Sequence, residues 1–155
     1  MGGTINSGIG GTNWSGLSSM QSKRVILDTN LWIYFLISGK LDDIDNYIMK
    51  GYLKIIFSQE LIEEFIEVTS RPKFKKYFSF HDITNLLRLF EMYGEIIHVT
   101  SRLNICRDPK ENFLLDLAVD SQADYLVTGD NDLLVLQKVE NTKIISIQEL
   151  LTFLK

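Results

Sequence analysis

The chain has 155 residues, 45% hydrophobic and 23% charged, enough for one ordinary globular domain and too few for two. With 16 Lys and Arg against 20 Asp and Glu its formal charge is −4, so whole-chain charge makes no electrostatic case for a nucleic-acid or anionic-membrane partner. Apolar runs fall well short of the ~20 residues that cross a bilayer, no basic-then-apolar segment opens the chain, and one cysteine, Cys106, excludes an internal disulfide. These features predict a cytoplasmic protein without a membrane partner and a buried, apolar role for Cys106.

Residues 1–22 hold six of the ten glycines, five serines and no charged residue, a composition that cannot offset its own ordering entropy. They read as a flexible leader or tag-like segment, with Met20 as an alternative start, and residues 23–155 read as the domain. Residues 24–28 form a short β-branched run that stops at an acid, and 31–37 begin a helix. Residues 41–50 are amphipathic and close at Gly51, before a strand over 53–57. Ser58 is placed to cap the next helix, in which Leu61, Ile62, Phe65, Ile66 and Thr69 make one stripe and which the Arg71-Pro72 step ends. Residues 81–93 are helical with Gly94 at their end, and 95–99 follow as a strand. Asp108-Pro109 opens a helix that runs to about Gln122. A strand over 125–128, a turn over 129–132, a short helix over 133–136 and a strand over 143–146 complete the pattern, and Ser146-Ile-Gln-Glu149 is a capping box for a terminal helix.

Strands that alternate with helices, and whose apolar runs are continuous, predict an α/β fold: a three-layer α/β/α arrangement around a mostly parallel sheet of about five strands. In such sheets ligands bind beyond the carboxyl ends of the strands. Two strands end in acidic turns, one at Asp28 and one at Asp130 and Asp132.

Each acid has a bland and a chemical reading. Asp28 in Leu-Asp-Thr-Asn serves either as a helix cap or as a site carboxylate. A turn plus a cap explains one of Asp130 and Asp132 more easily than both. Asp116, in Phe113-Leu-Leu-Asp-Leu-Ala-Val119, is costly to bury unless it is paired or binds metal, and Asn112 lies one turn before it on the same face. Asp108 is read chiefly as a cap, beside rather than within the site. Glu60, Glu63, Glu64 and Glu67 share a helix face that is solvated or functional, and periodicity does not choose among them.

No lysine or histidine accompanies these acids, no Gly-rich phosphate loop occurs, and no Ser, His and acid suggest a nucleophilic triad. Uncompensated carboxylates call for a hard cation, Mg²⁺ or Mn²⁺, which uses few carboxylates, several waters and the substrate's own phosphates. That chemistry is phosphodiester hydrolysis.

Asp28 in Leu-Asp-Thr-Asn, Glu64 in Glu-Leu-Ile-Glu-Glu-Phe-Ile-Glu-Val followed by Arg71-Pro-Lys-Phe74, Arg107-Asp-Pro-Lys-Glu-Asn112, and Ala123-Asp-Tyr-Leu-Val-Thr-Gly-Asp-Asn-Asp-Leu133 together resemble the PIN-domain ribonucleases. More narrowly they resemble the branch of toxins in bacterial toxin–antitoxin pairs. The resemblance spans residues 24–155 and implies a metal-dependent endoribonuclease in which Asp28, Glu64 and Asp130 line the metal site and Asp132 is a further acid in the same turn. It implies Thr128 beside that site, and Thr29 and Asn30 as groups that hold Asp28. The third acid of many PIN domains falls at Asn112, so the resemblance leaves two readings: Asn112 coordinates through its carbonyl oxygen, or Asp116 supplies the missing carboxylate. It also implies an antitoxin partner and a homodimer.

Residues 71–78 carry Arg71, Lys73, Lys75 and Lys76 with three aromatics, a combination suited to single-stranded RNA, or else a helix end whose aromatics enter the core. Arg102 and Arg107, flanking the loop before Asp108, would add phosphate contacts, and Arg107 joins the RNA-binding set. Setting aside Asp28, Glu64, Asp108, Asp116, Asp130 and Asp132 leaves 14 acids against 16 basic residues, so the net negative charge does not exclude RNA. The competing function is a non-catalytic PIN module that binds RNA or a protein. A phosphoryl-accepting Asp protein is disfavoured, since no paired acid stands beside Asp28.

Overall fold

In a computed structural model, residues 22–38 and 41–154 are described. The leader expected over 1–22 lies, but for Ser22, outside the described residues. Strand β1 (Lys23–Leu27) leads into helices α1 (Thr29–Ser38) and α2 (Leu41–Met49), then β2 (Leu53–Phe57), α3 (Gln59–Thr69), α4 (Phe80–Tyr93) and β3 (Gly94–Ile96). Helix α5 (Asn112–Ser121), β4 (Tyr125–Val127), α6 (Asn131–Leu134), β5 (Lys138–Val139), β6 (Thr142–Ile145) and α7 (Ile147–Leu154) follow.

The sheet has six strands in the order β3-β2-β1-β4-β6-β5, all parallel to their neighbours except β5, which runs antiparallel to β6. Helices flank it in a three-layer α/β/α arrangement of the expected class. Successive residues of a strand point to opposite faces, and Val25, Ile26 and Leu27 are all fully buried, so both faces of the central strand are covered. That double burial is what removes polar alternation from the sequence of β1.

The sixth strand escapes sequence reading because it is two residues long, bounded by Gln137 (φ 64°) and Glu140 (φ 48°), whose left-handed backbones no glycine announces. Strand β3 is shorter than expected: Ile97 still donates to the Phe57 carbonyl at 2.8 Å, but the chain then leaves the sheet. Gly94 does not terminate α4 in the left-handed region. Its φ is −103°, and glycine is needed there because a Cβ would lie 2.5 Å from the Phe90 carbonyl oxygen and 2.7 Å from the Phe57 ring. That close approach adjoins a cluster in which Phe90 packs near Phe57 (4.2 Å between centroids) and Trp32 (4.7 Å), tying α1, β2 and α4 together.

Caps set the helix starts. Leu61 N–H donates to Ser58 Oγ, Ser79 and Asp82 form a capping box, and Ser146 and Glu149 exchange bonds of 3.2 Å at the start of α7. Asp108 caps a single 3₁₀ turn (Pro109–Glu111) rather than α5 itself, taking the Lys110 N–H at 3.1 Å. Helix α6 starts at Asn131 because Asp130 caps it, two residues earlier than the apolar pattern suggests.

Candidate active site

Strands β1 and β4 are adjacent and parallel with Leu27 opposite Val127, so the residues that follow them, Asp28 and Thr128, emerge side by side. Thr128 Oγ1 donates to Asp28 Oδ2 at 2.7 Å and accepts the Asp130 N–H at 3.0 Å, which locks the two acidic turns together. Asn30 N–H donates to Asp28 Oδ1 at 3.3 Å. Asp130 Oδ1 in turn accepts the Asp132 N–H at 2.8 Å. Asp28, Asn30, Leu31, Gly129 and Asp130 line a cavity of about 330 Å³ at this carboxyl edge of the sheet.

Glu64 reaches the same edge from α3, where Thr29 Oγ1 donates to its Oε2 at 2.6 Å. The Thr29 backbone hydrogen-bonds Asp28 and opposes the rise of its carboxyl, while the Thr29 hydroxyl is directed to α3 and positions Glu64. Asn30 holds Asp28 through its backbone, not its side chain.

Glu111 completes the cluster. Burial pushes its carboxyl up from 4.5 to about 7, and the charges of Asp28, Asp130, Glu64 and Asp108 add to the rise in that order. Asp28 is also raised, first by burial, with Asp130 adding repulsion, while the hydrogen bonds from Thr128 and Asn30 oppose the rise. Sequence reading missed Glu111 because Asn112 drew the comparison. The available signal was the acid directly before Asn112, at the exit of the Asp-Pro turn.

Asn112 and Asp116 make other contacts. Helix α5 presents Asn112, Asp116 and Asp120 at a spacing of four residues, hence on one face. Asp120 accepts the N–H groups of Thr100 and Ser101 and the Ser101 hydroxyl, Asp116 Oδ1 accepts the Leu103 N–H at 2.7 Å, and Asn112 Oδ1 accepts the Cys106 N–H at 3.0 Å. These bonds hold Asp120 below the usual carboxylate range, the Ser101 hydroxyl contributing most. The buried Asp116 thus finds its partner in a strand-like segment that lacks sheet neighbours, which offsets the desolvation that made it look like a metal ligand.

Asp132 is held in a bidentate pair by Arg107, Nε to Oδ1 at 2.9 Å and Nη2 to Oδ2 at 3.2 Å. Arg71 forms a similar, exposed pair with Glu67, at 2.9 and 2.8 Å, so neither arginine presents an unpaired guanidinium. Phe78 is buried and Phe74 packs on the core, while Tyr77 is 47% exposed with Lys76 over its ring. Lys73, Lys75 and Lys76 face solvent, and Phe80, 86% exposed, extends the surface beyond the segment first considered. Cys106 is buried as expected, and burial pushes its thiol up.

Among the described residues no group of three or more acid, histidine or cysteine side chains is placed to hold a metal ion, and no helix is long and apolar enough to cross a membrane. The sequence profile described as PIN domain matches residues 24–132. The chain belongs to the PIN-domain family. An uncharacterized protein of Methanocaldococcus jannaschii is similar to it, 30% identical over 120 residues that cover 74% of this chain and 75% of that protein. PIN domains are generally nucleases and typically use divalent metals, and Asp28, Glu64, Glu111, Asp130 and Asp132 all lie within the matched PIN-domain residues.

Proposed function

We propose that this PIN domain is a Mg²⁺- or Mn²⁺-dependent endoribonuclease whose metal site is built from Asp28, Glu64, Glu111 and Asp130. The observation that carries the reading is that one hydroxyl, Thr128, joins the Asp28 carboxylate to the Asp130 turn at the ends of two adjacent parallel strands, with Glu64 brought to the same edge by Thr29. Four acids with Arg107 directed to Asp132 rather than to them form a donor set for a hard cation. Mg²⁺ and Mn²⁺ keep several waters and take ligands from the substrate, so they need few protein carboxylates. Glu111 takes the place of Asn112 and Asp116 in the proposed set, because Asn112 Oδ1 and one Asp116 carboxylate oxygen, Oδ1, accept the Cys106 and Leu103 N–H groups. Asp132, paired with Arg107, stands at the margin.

A divalent cation bound there supplies Lewis-acid activation for hydrolysis of a phosphodiester. The chain's own part is positional. Thr128 fixes the Asp28 carboxylate and the Asp130 backbone at once, and Thr29 fixes Glu64. Glu111, raised to about 7 mainly by burial, holds a proton for part of the time at neutral pH, and a cation bound among these acids would favour its ionised form. Lys73, Lys75 and Lys76, with exposed Tyr77 and Phe80, form the surface proposed to take single-stranded RNA, and Arg107, whose pair with Asp132 uses Nε and Nη2, offers its Nη1 edge to a phosphate near the acids.

The resemblance to the toxin branch supports a role as the nuclease of a toxin–antitoxin pair, dimeric and held inactive in the cytoplasm by a small antitoxin. Growth arrest on expression, relieved by the product of a neighbouring reading frame, would support that role; unaffected growth would count against it. The alternative of a non-catalytic PIN module is motivated by Asn112, and Glu111 beside it offers the carboxylate that Asn112 lacks. RNA incubated with the purified protein should be cut internally with Mn²⁺ and left intact with EDTA; equal cleavage in both rejects the metal-dependent reading.

A further inference from the structure

A second cavity, of about 500 Å³, opens between the start of α3 and the extended chain after β3, where Gln59, Glu60, Glu63, Ile97, His98 and Arg102 are among its lining residues. It shares the carboxyl edge of the sheet with the acid pocket, because α3 leaves β2 there and Ile97 still bonds to the end of that strand. Helix α3 serves both places: Glu63 lines the cavity, while Glu64 is bonded to Thr29 on the acid side. The far wall is fixed, since Asp120 takes the N–H groups of Thr100 and Ser101 and Asp116 that of Leu103, so Arg102 stands on backbone clamped on either side. Gln59 Nε2 donates to Glu63 Oε2 at 3.1 Å and orients that carboxylate.

The lining narrows the occupant. Glu60 and Glu63 repel a phosphate group, and Arg102 disfavours a simple cation. A neutral planar ring that offers several N–H donors satisfies both conditions. Ile97 and the flat groups of His98 and Arg102 provide faces for such a ring, and single-stranded RNA is read by stacking of this kind together with hydrogen bonds to the Watson–Crick edges. The volume falls in the range of small-ligand pockets.

We propose that this cavity is a nucleobase subsite and that its occupant is guanine, whose N1–H and N2 amino group present two parallel donors to the Glu63 carboxylate. Uracil has no amino group, and cytosine and adenine lack the adjacent ring N–H. The proposal rests on the reading of the acid pocket as an RNA-cutting centre and extends it to sequence preference: a guanine lies beside the cut. Residues 102 and 107 are separated by at most about 17 Å of extended chain, so a short stretch of RNA reaches from the cavity to Arg107 at the acids.

The test is a titration of the full chain in EDTA with guanosine, adenosine, cytidine and uridine 5′-monophosphates, followed by NMR. Guanosine monophosphate is expected to bind about tenfold more tightly than the others. Glu63→Gln should remove that preference, Arg102→Ala should weaken binding of all four nucleotides, and Asp28→Asn should leave the preference intact. Equal binding of the four nucleotides, or a preference that survives Glu63→Gln, overturns the proposal. Selective binding of guanosine monophosphate alongside RNA that stays uncut with Mn²⁺ supports the subsite and removes the nuclease reading. Cleavage without preference for guanine, with equal nucleotide binding, removes the subsite and keeps the nuclease.

Discussion

Replacing Glu111 with Gln keeps the shape of the side chain and removes one of four crowded carboxylates. In the folded chain the Glu111 carboxyl lies at about 7 against an ordinary 4.5, mainly through burial. Between those two values the folded state holds more protons than the unfolded one, so stability falls as pH rises through that window. At 1.36 kcal/mol per pH unit the full effect would be roughly 3 kcal/mol, and solvent screening of a half-buried group reduces it to about 1–2 kcal/mol. For a domain of this size that is about 3–8 °C in Tm. Thermal unfolding in EDTA, followed from pH 4.5 to 8, should therefore show E111Q and the wild type equal at the acid end and E111Q more stable above pH 7. Saturating Mn²⁺ should reverse the order, because the wild type gains a ligand that the variant lacks. Parallel stability curves in EDTA across the whole range would refute the electrostatic reasoning.

Asp116→Asn keeps an oxygen for the Leu103 N–H and should retain Mn²⁺-dependent cleavage, whereas Asp116→Ala should destabilise by about 1–3 kcal/mol in chemical denaturation; loss of cleavage in the Asn variant alone would return Asp116 to the metal set. Thr128→Val removes the hydrogen bond that lowers Asp28, so the Asp28 carboxyl should rise further on NMR titration and Mn²⁺ affinity should fall about 10–100-fold by calorimetry; unchanged affinity would deny Thr128 its positioning role. Neutralising Lys73, Lys75 and Lys76 should weaken RNA binding and flatten the salt dependence by about 0.7 in log–log slope for each phosphate that no longer meets a cation, and an unchanged slope would place the RNA elsewhere.

The parallel strands were legible because their burial on both faces leaves continuous apolar runs, and most helix boundaries because caps such as Ser58 and Ser146 are local chemistry. Strand β5 was not, since its two residues are defined by pairing with β6 alone. At the site, Asp28 and Asp130 stood out because each follows a buried strand at the carboxyl edge of the sheet, although Asp130 also serves as the cap of α6. Asp116 marks a limit of sequence: an acid in an apolar helix face looks the same whether its partner is a metal or the N–H of a residue 13 positions away. Glu111 was hidden by its position in a 3₁₀ turn, where no helical periodicity directs a side chain toward the acids, and its character emerges only from the charges that folding gathers around it.

Initial cleavage rates of a labelled single-stranded RNA, measured with Mn²⁺ for the wild type and for Asp28→Asn, test most directly whether the carboxylates at the carboxyl edge of β1 and β4 make a metal-dependent centre that cuts RNA. Wild-type cleavage that EDTA abolishes, together with a loss in the variant exceeding the about 10–100-fold carried by outer partners of metal ligands, is the predicted result. Cleavage by Asp28→Asn at the wild-type rate, or no cleavage by the wild type with Mn²⁺, would contradict it.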